Sequence, residues 1–270
     1  MRCSTIIHWN GYKTSLLSRT SAMSCWSLSL PAGKDGACPL AVTGKGSISD
    51  GCYAMANRFN QPNVISSQTI RLQWLRSHLH NQQEDFIIST FVESINKHSS
   101  KEGYFRWFDS GDFFSLQMID VCRQICEQLP HIKFWFPTRS WYAPNWKSSL
   151  ERLSQLDNVS LRPSALYINQ LPPKTNLGTG STVFTDKSLK NLKQFKEISI
   201  CPKSINGGSC ESNRCRTCWD QDKEVAYLWH GFGGSHRYKS ISDNILNNRK
   251  RFFENFVPLT IRSNQNANNY

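Results

Sequence analysis

Between Tyr104 and Leu161 the chain alternates short aromatic and branched runs with amphipathic stretches, and no other feature narrows its fold as far. Tyr104–Phe108 predicts a strand, Ser115–Leu129 a helix stopped by Pro130, and Ile132–Phe136 a second strand. Asn145–Leu156 predicts a helix and Asn158–Leu161 a third strand. Strands separated by helices of this length are joined by crossovers, which gives βαβ units and a largely parallel sheet. Helices are also expected over about Asn63–Leu79 and Glu84–Lys97, and strands at Glu197–Ile200 and Glu224–Trp229. A short helix over Asp186–Phe195 and a longer one over Ser240–Phe256 complete the pattern. Residues 21–60 and Asn169–Ser181 are rich in Gly, Ser or Pro and read as loops, and residues 263–270 as a frayed tail. Residues 1–262 are expected to form one domain.

The strands have a shared property. Asp109-Ser110-Gly111-Asp112, Pro137-Thr138-Arg139-Ser140, Arg162-Pro163-Ser164, Cys201 and His230 each come directly after a predicted strand. In parallel α/β folds the carboxyl ends of strands converge on one face, where sites form. The expected fold class is therefore α/β, a (β/α) TIM-barrel-like arrangement, irregular or incomplete.

Charge narrows the partner. Lys and Arg number 32 against 20 Asp and Glu, a net charge of +12. That imbalance, spread along the chain, favours a polyanion, most simply nucleic acid. No run of 18 apolar residues occurs, and the opening MRCSTIIHWNGYK lacks an apolar core, so neither a membrane span nor a secretory leader is expected. The chain is expected to be soluble and intracellular.

Ten cysteines without a leader point to metal or redox chemistry rather than a disulfide framework. Cys201-Pro-x7-Cys210-x4-Cys215-x2-Cys218 puts four thiols in a Gly-rich loop. Such a set suits a tetrahedral zinc site or a four-thiolate [4Fe-4S] cluster, with His230 able to replace one thiol. Cys25, Cys38 and Cys52 are a second candidate cluster at wider spacing, or else packed small residues. Cys122 and Cys126 share an apolar helix face and read as core.

Asp109 and Asp112 are the candidate catalytic pair. Two carboxylates near one strand end can divide nucleophile and acid/base roles, because each raises the other's pKa. The alternative is that Ser110 or Asp112 caps the following helix. Ser110 and Gly111 between them, Arg139 as a phosphate clamp, and Trp141 and Tyr142 as stacking platforms are the candidate substrate-binding residues.

The segments CWSLSLPAG, ACP, DGCYA, FRWFDSGDFFS, FWFPTRS and CP…C…CRTCW together resemble the bacteriophage gene-product-eighty-eight family, over about Cys25 to His230. That resemblance implies a phage origin, in the host cytoplasm, more than an activity. Asp109-Ser110-Gly111-Asp112-Phe113 is also similar to the DSGGFQ turn of guanine transglycosylases, TIM-barrel enzymes with a functional aspartate and a late cysteine-rich zinc site. Here Asp112 replaces a glycine and the thiol spacing differs. Cys52-Tyr53-Ala54 after Cys38-Pro39 is similar to phage proteins of radical-SAM type, without their compact three-cysteine loop. Three expectations result. The first is a DNA guanine base-exchange enzyme that takes a small deazaguanine-type precursor, with Asp109 as nucleophile or base and structural zinc. The second is a radical-SAM-type iron–sulfur enzyme. The third is a non-catalytic, metal-stapled nucleic-acid-binding protein.

Overall fold

The computed structural model describes residues 5–20, 22–185, 197–230, 245 and 247–251. The expected helix over Asp186–Phe195, the tail 263–270 and most of the expected helix over Ser240–Phe256 lie outside the described residues, although 247–251 are helical.

The chain begins with an antiparallel hairpin, β1 (Ile6–Trp9) and β2 (Tyr12–Ser15). β3 (Ser18–Thr20) then pairs antiparallel with β4 (Cys25–Ser29). Two helices follow, α1 (Pro62–His80) and α2 (Glu84–Ser99). The predicted alternation then appears as β5 (Tyr104–Ser110), α3 (Leu116–Gln128), β6 (Lys133–Thr138), α4 (Lys147–Ser154) and β7 (Val159–Pro163). β4 to β7 are parallel neighbours in the order β3-β4-β5-β6-β7. A second, parallel sheet has the order β8-β10-β9, from β8 (Ser181–Phe184), β9 (Ile198–Ile200) and β10 (Glu224–Leu228). Between β9 and β10 lies the short helix α5 (Pro202–Asn206).

Alternation along the strands separates two faces. Phe105 and Trp107 of β5, Phe134 and Phe136 of β6, and Val159 and Leu161 of β7 pack in one core with Phe91 of α2, Ile119 of α3 and Leu150 of α4. Cys122 and Cys126 are fully buried in that core, as expected. The opposite face carries Cys25, Trp135, Trp219 and Val225, which join β4 and β6 to the late cysteine loop and β10.

A closed barrel does not form among the described residues. The two sheets pack through the Cys25–Trp135–Val225 cluster, and their backbones are joined by a parallel bridge, Ser164 to Ser181, with Ala165 N–H donating to Ser181 O at 2.8 Å. Closure by sequential parallel strands is defeated twice: β10 inserts between β8 and β9, and β3 ends the first sheet as a three-residue antiparallel edge. A loop contact near that edge, Cys210 N–H to Ala22 O at 2.9 Å, links the late cysteine loop to the β3–β4 turn. Two further expectations are corrected. Cys25–Ser29 is a strand buried along its whole length rather than a loop, and Ser181 opens β8 rather than ending a loop.

Candidate active site

The central strand β5 bends at its carboxyl end. Phe108 has φ +54°, and the β4–β5 register shifts between Ser27 and Ser29. A bulky residue rarely takes this conformation, and bulges of this kind re-aim side chains near sites. Gly111 follows at φ +90°, where an added Cβ would lie 2.9 Å from the Leu30 Cβ, so only glycine fits this turn.

The five expected strand-end segments do meet. Asp109 and Ser110 at the end of β5 with Gly111 and Asp112 after it, Arg139 after β6, Ser164 after β7, Cys201 after β9 and His230 after β10 all line one cavity of about 510 Å³. The cavity wall is cationic: Arg19, Arg58, Arg106, Arg139 and Lys203 face two carboxylates, Asp109 and Asp112.

Those two carboxylates have opposite surroundings. Asp112 accepts from Phe113 N–H at 2.8 Å, Thr138 Oγ1 at 2.7 Å and Arg139 N–H at 2.8 Å, which occupies both of its oxygens. It does not cap α3. Ser115 does so, accepting from Met118 N–H at 3.2 Å. Asp112 is thus a clamp between the β5 turn and the end of β6. Asp109 keeps one oxygen, Oδ1, buried without a hydrogen-bond partner. Burial pushes its carboxyl above the ordinary 3.8, opposed in turn by Arg106, by a bond from Ser29 and by Arg71. Burial raises Asp112 as well, against its three donors.

Several residues that support Asp109 escaped the sequence reading. Arg106 lies in β5 between Phe105 and Trp107, with its guanidinium 4.5 Å from the Trp135 ring centroid, and it donates to Tyr53 OH at 3.4 Å. Tyr53 in turn donates to the Asp109 carbonyl at 2.6 Å. Gln68 and Arg71 reach this region from α1: Gln68 Nε2 donates to Ser29 Oγ at 2.8 Å, and Arg71 Nη1 donates to Ser29 O at 3.2 Å. A charge inside an aromatic strand was a readable signal for Arg106. Nothing in the sequence placed Gln68 or Arg71 beneath the site.

The expected stacking residues lie elsewhere. Trp141 Nε1 donates to Ser164 O at 2.7 Å and Tyr142 OH to Leu40 O at 2.6 Å, and neither ring lines the cavity. Tyr53, Trp135 and Trp229 do line it.

The cysteines regroup. Cys25 and Cys218 are buried in one cluster with Cys201 and Cys210 packed against it, whereas Cys38 and Cys52 pack around Ala32 and Met55. Cys25 is therefore parted from the two thiols it was expected to join. Burial pushes Cys25 up to about 11 and Cys38 and Cys218 up to about 12, and raises Cys210. Cys215 Sγ lies 3.5 Å from Thr217 Oγ1, and Cys218 Sγ lies 3.1 Å from Tyr227 OH. His230 stacks against Tyr53, with ring centroids 5.2 Å apart. Among the described residues, no three His, Cys, Asp or Glu side chains are grouped so as to hold a metal ion.

Arg162, expected as part of a polar strand end, is a structural knot. Fully buried, it donates to the carbonyls of Cys218 (2.9 Å), Thr217 (2.6 Å), Lys223 (2.9 Å) and Asp220, and to Thr179 Oγ1 (2.8 Å). The late cysteine loop is shaped by this one guanidinium.

The family model for gene product 88 matches residues 8–221. The chain belongs to the gene product 88 family. The match spans the β5 turn, Arg139, both cysteine groups and Arg162, so in this gene product 88 protein the cavity is built almost wholly from the family region. No curated protein and no solved structure matches the chain.

Proposed function

We propose that this gene product 88 protein is a phage enzyme that exchanges a guanine base of DNA for a deazaguanine in the host cytoplasm. The observation that carries this reading is Asp109: a carboxylate with one unpartnered oxygen, at a bent strand end, on the wall of a cationic cavity of about 510 Å³. A base taken out of the duplex enters such a cavity and stacks on an aromatic ring. Tyr53, Trp135 or Trp229 serves here in place of Trp141. An Asp109 oxygen attacks C1′ of the nucleotide. The C1′–N9 bond breaks, and the guanine leaves with the electron pair and takes up a proton from water. The incoming deazaguanine returns its N9 proton to water, its N9 attacks C1′, and the bond to Asp109 breaks to restore the carboxylate. Arg106 and the Ser29 hydroxyl favour the ionised form that attacks. Asp112 takes no part, because its oxygens are already occupied.

The late thiols belong to the same proposal as a zinc site. Cys201, Cys210 and Cys218 share one cluster with Cys25, and Cys215 follows in the same loop; no three of them are grouped for a metal among the described residues, so the loop would have to draw in for them to meet on one ion. A zinc ion there would replace the protons that burial otherwise favours on Cys210 and Cys218 and would staple the loop to β4.

Nucleoside analysis of DNA from cells that make the protein and the precursor tests the reading. The wild type should yield a deazaguanine nucleoside and Asp109→Ala none. Equal yields would remove Asp109 from the chemistry, and no modified nucleoside with either form would end the base-exchange reading.

A further inference from the structure

The two cysteines that the fold parts from Cys25 have a third sulfur beside them. Cys38 and Cys52 are half-buried and pack with Met55 around Ala32. All three line a chamber of about 220 Å³ next to the main cavity, and the two thiols lie on the main cavity's wall as well. Gly33 sets the arrangement. Its φ is +103°, and a Cβ there would lie 3.2 Å from Met55 Cε and 3.5 Å from Met55 Sδ, so the thioether rests against this glycine. Gly33 O accepts from Cys38 N–H at 3.1 Å, and the Gly33 N–H faces the Cys38 sulfur. On the other side, Cys52 O accepts from Met55 N–H at 3.1 Å in a single 3-10 turn. Short backbone links therefore join Cys38 to Met55 and Met55 to Cys52.

The donor set selects the ion. Among the described residues no three His, Cys, Asp or Glu side chains are grouped for a metal, so neither the four ligands of zinc nor the thiolates of an iron–sulfur cluster are assembled at this place. Asp112, the buried carboxylate on the chamber wall, has both oxygens filled by three donors, which leaves it nothing to offer a hard cation. Thiolate and thioether sulfur are soft ligands, and they select copper(I), which needs few of them. Charge agrees with that choice. Two thiolates around a monovalent ion leave a negative site, and the guanidiniums of Arg139 and Arg249 line the same chamber, Arg249 within electrostatic reach of both thiols.

We propose that Cys38, Cys52 and Met55 form a copper(I) site between the two cavities. Each thiol gives up its proton as the ion binds, and no electron is transferred. An ion shared by Cys38 and Cys52 closes the segment between them, which supplies Thr43 and Asp50 to the chamber and Ile48 to the main cavity. Binding thus fixes part of the wall of each. The inference stands apart from base exchange, since it uses none of the groups assigned to that chemistry.

Anaerobic titration of the full chain with copper(I), in competition with a coloured copper(I) chelator, tests the site. Thiols of the late loop also take copper(I), so the readout is the difference between proteins. The wild type should hold one more chelator-resistant copper ion than the double variant Cys38→Ser, Cys52→Ser. Met55→Leu nearly keeps the side-chain volume and removes the sulfur. It should surrender that ion at several-fold less chelator, with an unaltered circular dichroism spectrum. Equal copper in the wild type and the folded double variant overturns the proposal. So does an unchanged affinity in Met55→Leu, which decides the matter alone if the double variant fails to fold. Iron and acid-labile sulfide in anaerobically purified wild type, lost in Cys38→Ser, would assign these thiols to a cluster and overturn it too. A retained copper difference in Asp109→Ala, whatever becomes of base exchange, keeps this inference separate from the reading above.

Discussion

The cavity has two walls of different construction. The carboxylate wall stands on β5 and β6, backed by a continuous aromatic core in which Trp107 and Phe136 stack with centroids 5.4 Å apart. The thiol wall stands on the second sheet and on the 201–219 loop, backed by a smaller cluster and by one arginine's bonds to carbonyl oxygens. On the first wall, strand geometry and packing fix Asp109. On the second, a loop without strong local preference is fixed by a buried cation from the neighbouring strand. Rigid elements hold groups more closely than loops do, so the first wall suits chemistry at Asp109 and the second suits a stapling role.

The comparison is broken most severely at Arg162. Arg162→Leu leaves several buried carbonyls of the 217–223 loop without a donor, and it should destabilise the protein by about 3–5 kcal/mol in denaturant unfolding. The buried Cys218 should then react with thiol reagents while the aromatic fluorescence of the first wall persists. Loss of both walls together would show that they are a single unit. Asp112→Asn comes next. An amide turns an NH2 group toward one of three donors, and the cost should be about 1–3 kcal/mol by the same measurement.

Asp109→Asn should have the smallest effect on stability, within about 1 kcal/mol at neutral pH, because it removes a partly buried charge whose Oδ1 has no partner. The sign with pH is opposite to that of an ordinary salt-bridged carboxylate. The folded-state pKa of Asp109 is raised above 3.8, so the folded protein holds this proton more tightly than the unfolded chain does. Its contribution to stability is present below about pH 3.8 and is lost as pH rises through the raised value. Unfolding measured from acid to neutral pH should show wild type losing ground to Asp109→Asn over that window. A parallel pair of curves would mean Asp109 is not buried as described.

Much of the first wall was legible in the sequence. The alternation from Tyr104 to Leu161 follows from side-chain periodicity, which is a local property, and it placed Asp109 and Arg139 at strand ends correctly. The roles within the turn were less legible. Asp109 and Asp112 look alike in sequence, and only the approach of Thr138 and the Arg139 backbone distinguishes them. Sheet closure could not be read, because strand order depends on which long connection crosses which edge: β10 sits between β8 and β9 although it follows both. The cysteine grouping failed for the same reason. Cys25 is near Cys38 in sequence, but it lies on a strand whose inner face meets the late loop. Trp141 and Tyr142 look suited to stacking, yet their polar atoms are tied to Ser164 O and Leu40 O.

The account rests on Asp109 as the reacting group, and guanine exchange in vitro addresses that most directly. Purified protein, duplex DNA and labelled deazaguanine are incubated together, and label retained in the polymer is counted for wild type and Asp109→Asn. Incorporation by the wild type is expected to fall by at least about 10³-fold in Asp109→Asn, since a covalent step loses its nucleophile. Unfolding of the two proteins at neutral pH should differ by no more than about 1 kcal/mol. Equal incorporation by both forms, or none by a folded wild type, would contradict the account.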